Sequence, residues 1–532
     1  MDVNAKRDNS RIKEIEIMDC TLRDGEQTNG VSFLPHEKLM IARMLLHDIN
    51  VDRIEVASAR VSEGEKDAVA RICRYAKTIG KLDSVEVLGF VDNNKSVDWI
   101  AECGGHVINL LANGSYNHCS QQLKMSPEYH FAHINQTIDY ALSKGFTVNL
   151  YLEDWSSGMR DSRDYLFMMM DELVKLPIKR FLLPDTLGIL NPLQCVEYMR
   201  QMVRRYPNSH FDFHAHNDYD LAVSNSLAAV LSGAKGLHVT VNGLGERCGN
   251  APLASVQVIL KDMFEAKTNI KEDRLNDISR LVEGYSGIAV APNTPVVGDN
   301  VFTQVAGVHA DGDNKDKLYC NDLVPERFGR HREYALGKNS GKANIVQNLN
   351  ELGLELTPEQ TKAVTKRITE LGDRKELVTQ DDLPYIVSDV LKHGAPEDKV
   401  KLVSYMVSTS YGLKPIASVK VEIEGKEYED RSSGDGQYDA FVKALRNIYK
   451  VKLGKTFPKL DNYQVTIPPG GRTDALVQTV ITWREGDRIW RTRGLDADQT
   501  EAAIKATLKM INMYEADKSD EQAVSPRNLD ME

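Results

Sequence analysis

"RFLLPDTLGILNPLQCVEYMRQMVRRYPNSHFDFHAHND" (Arg180–Asp218) contains one full period of the chain's pattern. An apolar run, "RFLLPD", leads into "NPLQCVEYMRQMVRRY", where apolar residues recur at helical spacing, and a second apolar run, "HFDFHAH", follows. The same strand-then-helix cycle starts near Glu14 and continues for about 270 residues. The strand candidates are "EIEIMDCT", "VDRIEVAS", "VEVLGFV", "HVINLLA", "FTVNLYLED", "IKRFLLPD", "HFDFHAH" and "GLHVTVNG". Eight such units with fully apolar strands predict a closed parallel (β/α)8 barrel, since parallel strands are covered on both faces and a barrel leaves no edge. A doubly wound open sheet is the competing fold; it usually has fewer strands and often a G-x-G-x-x-G first turn, which "CTLRDGEQTNG" does not supply.

In barrels of this kind the chemistry gathers where strands end, so the polar residues there form one set. Strand 1 is expected to end in Arg23 and Asp24, strand 5 in Glu153 and Asp154, strand 6 in Asp185 and Thr186, strand 7 in His214 and His216, and strand 8 in Glu246, Arg247 and Asn250. Residues two apart on a strand share a face, so both imidazoles aim into the mouth. Two histidines with Asp24 make the facial arrangement that holds a divalent cation with positions open for substrate; Mg, Mn, Co and Zn all remain compatible.

Composition narrows the class. The 532 residues can bury several cores, and a net charge of −11 with interspersed signs leaves no basic stripe for nucleic acid. No run approaches the roughly 18 apolar residues of a membrane span, and "MDVNAKRDNSRIKEIEIMD" has no signal-peptide core, so a cytoplasmic protein is expected. The seven cysteines are scattered without a C-x-x-C pair and read as reduced thiols. Past Val290, "APNTPVVGDN" breaks the cycle. Helical patterns such as "LTPEQTKAVTKRITELGD" follow, and after "KHGAPEDK" alternating runs and hairpin turns begin. The expected domains are a barrel over 1–286, linker subdomains over 287–395, an α+β domain over 396–515 and a disordered tail over 516–532. "PPGGRTDAL" reads as a turn, because no Lys-Ser/Thr follows its glycines.

"DCTLRDGEQ" (Asp19–Gln27), "FHAHND" (Phe213–Asp218), "NGLGERCGNAPL" (Asn242–Leu253), "FTQVAGVHADGD" (Phe302–Asp313), "RFGRHREYALGKNSGKA" (Arg327–Ala343) and "IPPGGRTDALV" (Ile467–Val477) resemble the signatures of the metal-dependent acyl-CoA:2-oxo acid condensing enzymes, the isopropylmalate, homocitrate and citramalate synthases. Cys20 stands where many members have Thr. The resemblance implies a metal held by Asp24, His214 and His216 with Asn250 in or beside its shell, substrate oxygens bound by Arg23 and Thr186, acetyl-CoA as co-substrate and Glu153 as the base that makes its enolate. It implies a homodimer in which His309, Asp311 and Tyr319 come over the mouth from the partner subunit. Leu88, Leu111 and Tyr151 match the positions that close the pyruvate pocket in the citramalate synthases, so pyruvate is the expected oxo acid, with 2-oxoisovalerate as the alternative. The C-terminal domain would then sense an end-product amino acid, isoleucine, through Tyr438, Asp439, Leu460, Tyr463, Ile467, Thr473, Val477 and Gln499, with Asp439 and Thr473 taking its charged ends. An aldolase or lyase on the same barrel would normally lack so long a C-terminal domain, and a biotin-dependent carboxyltransferase usually carries an A-M-K-M segment, which is missing here.

Overall fold

The computed structural model describes residues 14–313, 318–352, 354–373, 378, 380–391, 399–466, 477–486 and 488–524. Two compact units emerge, Met1–Thr303 with Asp316–Glu333, and Gln304–Lys315 with Tyr334–Glu532. Parts of the expected linker, 287–303 and 316–333, thus fall in the first unit.

Eight parallel strands close the first unit into a barrel: β1 (Glu16–Asp19), β2 (Arg53–Ser58), β3 (Val85–Phe90), β4 (Val107–Asn113), β5 (Thr147–Glu153), β6 (Arg180–Asp185), β7 (Phe211–Ala215) and β8 (Gly236–Val239), with β8 pairing back onto β1. The helical stretch after β6 runs Pro192–Arg205, and Asn191 caps it by accepting the backbone N–H of Gln194. Residues such as Ile54 and Val56 face outward and pack under the helices in one large core.

The strands are not fully apolar, which corrects the sequence expectation. Arg53, Glu55, Glu86, Asn109, Asn149, Asp212 and His238 are all buried. They persist because they satisfy one another: Arg53 Nη2 lies 2.5 Å from Asp212 Oδ2, its Nη1 lies 3.3 Å from Glu86, and Asn109 donates to Glu55 at 2.8 Å. The signal lay in the period-two spacing of Arg53 and Glu55 in "DRIEVAS".

In the second unit, helices Lys342–Glu351, Pro358–Asp373 and Leu383–Leu391 share a small core around Ile345, Leu349, Val364 and Ile368. Two three-stranded antiparallel sheets follow, Val400–Ser408 with Ile416–Ile423 and Lys426–Ser433, and Lys459–Thr466 with Val477–Glu485 and Arg488–Asp496. Every second residue of Ile416–Ile423 is buried, the mark of a sheet covered on one face. The final helix spans Gln499–Val524, so residues 516–524, expected as disordered tail, continue a helix; "EADKSDEQA" is rich enough in Ala, Glu and Lys to extend one already nucleated by packing. The rest of that tail, 525–532, lies outside the described residues.

Candidate active site at the mouth of the barrel

Arg23 and Asp24 do not end a strand: β1 stops at Asp19 and they occupy the turn after it, where both backbone N–H groups donate to the Cys20 carbonyl, at 3.1 and 2.8 Å. A fully buried lysine that the sequence did not reveal pins this turn. Lys38 Nζ donates to the Leu22 carbonyl at 3.0 Å and pairs with Glu26 and Glu65, each at 2.6 Å.

The turn delivers Asp24 to the two histidines. His214 on β7 and His216 just beyond it bring their Nε2 atoms within 3.3 Å of each other, and Asp24 Oδ2 lies 3.2 Å from His214 Nε2 and 3.9 Å from His216 Nε2. All three residues are buried, and one donor atom from each falls within 4.8 Å of the others. Burial alone would raise the Asp24 pKa, but Arg23 and the contact with His214 hold it well below the usual carboxylate range. Burial pushes His216 down to about 4 and lowers His214 against the pull of Asp24, so both rings are neutral and carry lone pairs. Two neutral imidazoles facing a carboxylate are a donor set suited to a divalent cation. Asn250 joins them through a bridge to His216; its Nδ2 donates to the Leu244 carbonyl at 3.0 Å, which leaves the buried Oδ1 without a protein partner. A Cβ on Gly245 would run into that amide, so the close approach requires glycine there. Cys20, His214 and His238 form a second such group, but burial pushes the Cys20 thiol well up, which keeps it protonated and a poor ligand.

Glu153 ends β5, and burial pushes its pKa up to about 7, with Arg23 opposing. Thr186, just past β6, hydrogen-bonds the Glu153 side chain and accepts the backbone N–H of Asp154 at 3.0 Å; Asp154 is held at φ 59°, ψ 33°. Arg23 is gripped on three sides: Nε to Glu55 at 2.5 Å, Nη1 to Asp24 at 2.8 Å and Nη2 to the Tyr151 hydroxyl at 3.2 Å. The barrel register sets Phe90, Leu111, Tyr151 and Leu182 in one row across β3 to β6. With Leu88 they form an apolar cluster separate from the main core. Glu55, Phe90 and Leu182 were not singled out by the sequence; only the register shows the row. Glu246 and Arg247 sit in the loop after β8 rather than at its end, and Arg247 ties that loop to Asp218 at 2.7 Å and to the Thr186 carbonyl at 2.9 Å. His309 and Asp311 lie on the short helix Gly307–Asp313 of the second unit, and Tyr319 lies in the segment that belongs to the first.

Of the residues expected to bind an effector, Tyr438, Asp439, Leu460, Tyr463 and Gln499 line one cavity of about 770 Å³. The Tyr438 and Tyr463 rings are 5.3 Å apart, and the Tyr438 hydroxyl meets Thr507 Oγ1 at 2.7 Å. Asp439 is already engaged, by Lys443 at 2.6 Å and the Asp435 N–H at 2.8 Å, while Arg446, which the sequence did not single out, also lines the cavity. Val477 is the buried first residue of its strand; Ile467 and Thr473 lie outside the described residues.

Residues 14–282 match the HMGL-like family profile. The chain belongs to the HMGL-like family. Residues 296–376 match the homocitrate synthase post-HMGL domain-like profile and 377–515 the LeuA allosteric (dimerisation) domain. The (R)-citramalate synthase of Methanocaldococcus jannaschii is 34% identical over 94% of this chain and 99% of its own, and the 2-isopropylmalate synthase of the same organism is 36% identical over 94% of each. Among solved structures, the HMG-CoA lyase of Bacillus subtilis matches at 21% identity and TM-score 0.47, over 54% of this chain and 97% of its own. This HMGL-like chain is an enzyme, a condensing synthase of the acyltransferase type. Among its described residues no helix is long and apolar enough to cross a membrane.

Proposed function

We propose that the enzyme condenses acetyl-CoA with pyruvate and hydrolyses the product to citramalate and CoA. The observation that carries this reading is the row Phe90, Leu111, Tyr151 and Leu182, tied to Arg23 through the Tyr151 hydroxyl. Bulky side chains beside the guanidinium leave space for a methyl group and crowd an isopropyl group, worth about 1 to 3 kcal/mol of discrimination per methylene.

When bound, a divalent cation at Asp24, His214, His216 and Asn250 would supply Lewis-acid polarisation of the keto oxygen. Glu153, with its pKa near neutrality, takes a proton from the acetyl methyl of acetyl-CoA. The resulting carbanion forms the new bond to the keto carbon of pyruvate, and the developing alkoxide meets the Arg23 guanidinium, which Glu55 and Tyr151 already hold in place. Thr186 orients Glu153 and the substrate carboxylate. The alkoxide is protonated to the tertiary hydroxyl, balancing the proton that Glu153 took; water then adds to the thioester carbonyl, the C–S bond breaks, one proton of the water goes to the departing thiolate to give CoA, and the other is released as the new carboxyl group ionises. His309, Asp311 and Tyr319 of a second copy serve this mouth, a reading supported by the match to a dimerisation domain. Isoleucine is the effector read for the 770 Å³ cavity, its side chain against Leu460, Tyr438 and Tyr463 and its carboxylate toward Arg446.

Release of free CoA thiol is measured with pyruvate and with 2-oxoisovalerate, each with and without chelator. Pyruvate-dependent, metal-dependent release is expected to dominate. Greater turnover of 2-oxoisovalerate transfers the reading to 2-isopropylmalate synthase.

A further inference from the structure

We propose that His238, on β8 and behind the substrate pocket, is a positioning residue that sets the choice among 2-oxo acids through the hydroxyl of Tyr151. The inference rests on the reading above that the oxo acid lies against Arg23 and Tyr151.

Both ring nitrogens of His238 are engaged inside the barrel. Nε2 lies 3.3 Å from Asp212 Oδ2, a carboxylate that also receives Arg53 at 2.5 Å and His210 at 2.9 Å and therefore acts only as an acceptor. Nε2 must then carry the proton, and Nδ1 presents a lone pair to the Tyr151 hydroxyl 3.2 Å away. Nδ1 carries no proton and accepts one from this hydroxyl; Glu55 Oε2, the other acceptor in reach at 3.3 Å, also takes Arg23 Nε at 2.5 Å. With its proton directed to His238, the Tyr151 oxygen keeps its lone pairs for Arg23 Nη2. The Tyr151 ring stands edge-on to His238, centroids 5.7 Å apart at 82°. A line of bonds thus runs from Arg53 through Asp212, His238 and Tyr151 to Arg23, on side chains that are almost wholly buried. Its mouth end fixes both a wall of the pocket and the guanidinium beside it. Released from His238, the Tyr151 ring gains freedom to move out of the row, and the penalty on acids larger than pyruvate falls.

Side-chain length supplies the test. Asn at position 238 places its amide oxygen near the site of Nδ1 and keeps the Tyr151 bond; Gln reaches to the site of Nε2 and keeps the Asp212 bond instead. The ratio of kcat/KM for pyruvate to that for 2-oxobutyrate is measured in the parent, H238Q, H238N, Y151F and the double variant Y151F/H238Q. H238Q and Y151F are each expected to lower the ratio by about 10-fold, the double variant no further than either, and H238N to stay within about 2-fold of the parent. A simple packing role moves stability without this pattern. The proposal is overturned if H238Q keeps the parental ratio, if the two substitutions multiply, or if H238N falls as far as H238Q. A parent that uses 2-oxoisovalerate in place of pyruvate overturns the substrate reading, and the same cycle run on that acid still decides the role of His238.

Discussion

The barrel of the first unit and the sheet domain of the second handle polar groups in opposite ways. Inside the barrel, Arg53, Glu55, Glu86, Asp212 and His238 are each no more than 3% exposed; Arg53 binds Glu86 and Asp212, Asp212 meets His238, and Glu55 holds Arg23 and Asn109. In the second unit the core is built from Phe441, Tyr449, Trp483 and Tyr514, and charges such as the Lys443–Asp439 pair stand at about 40% exposure. A buried charge that loses its partner is left uncompensated, so the barrel network holds its members to one geometry. The cavity of the second unit is lined instead by Tyr438, Tyr463 and Leu460 with the half-exposed Asp439.

If the barrel is the rigid, charge-built partner, removing a ligand from its mouth must be the most damaging change. Asp24→Ala or His214→Ala is expected to bring CoA release down to the blank while the fold, read by circular dichroism, survives. Near-parental turnover in either variant breaks the assignment of the triad.

Glu153→Gln is next, with a loss of kcat of roughly 100-fold to 10,000-fold and little change in KM for pyruvate. Because burial favours the protonated form up to about pH 7, the parental kcat/KM should rise through that pH as the base ionises. Through the window from the ordinary carboxylate range to about 7 the folded state binds the proton more tightly than the unfolded chain, so this group costs stability increasingly as pH rises. A flat profile between pH 6 and 8 would assign proton abstraction to another residue.

Lys38→Met tests whether buried charge rigidifies the turn that carries Arg23 and Asp24. Leaving Glu26 and Glu65 without their cation should cost about 3 to 5 kcal/mol in denaturant unfolding. A cost under about 1 kcal/mol, as for an exposed pair, would remove the contrast between the units.

Smaller effects sharpen the picture. Leu111→Ala opens the row and should shift preference toward 2-oxobutyrate or 2-oxoisovalerate by about 10-fold to 100-fold in the ratio of specificity constants. In the second unit, Tyr463→Ala should leave uninhibited turnover near the parental value and remove inhibition by isoleucine. Turnover measured with isoleucine, leucine and valine checks this; stronger inhibition by leucine would favour the isopropylmalate reading.

The periodicity of the chain is enough to lay out all eight barrel strands, and the strand-end rule by itself groups Asp24, Glu153, Thr186, His214 and His216 at one mouth. Both rest on short-range facts: a strand alternates every two residues, a helix returns every three or four, and the C-terminal ends of parallel strands share one mouth. The cavity residues of the second unit were legible only by resemblance, since nothing local distinguishes Tyr438 or Tyr463 from ordinary core. What the sequence could not supply were contacts across strands far apart in the chain. Lys38 beneath Leu22, the row from Phe90 to Leu182, the grip of Glu55 on Arg23, the bond from His238 to Tyr151 and the presence of Arg446 in the cavity all depend on register and closure. Those are set when the whole barrel or sheet packs at once. A single strand's pattern fixes which face a side chain takes, and only the assembled neighbours decide what it meets there.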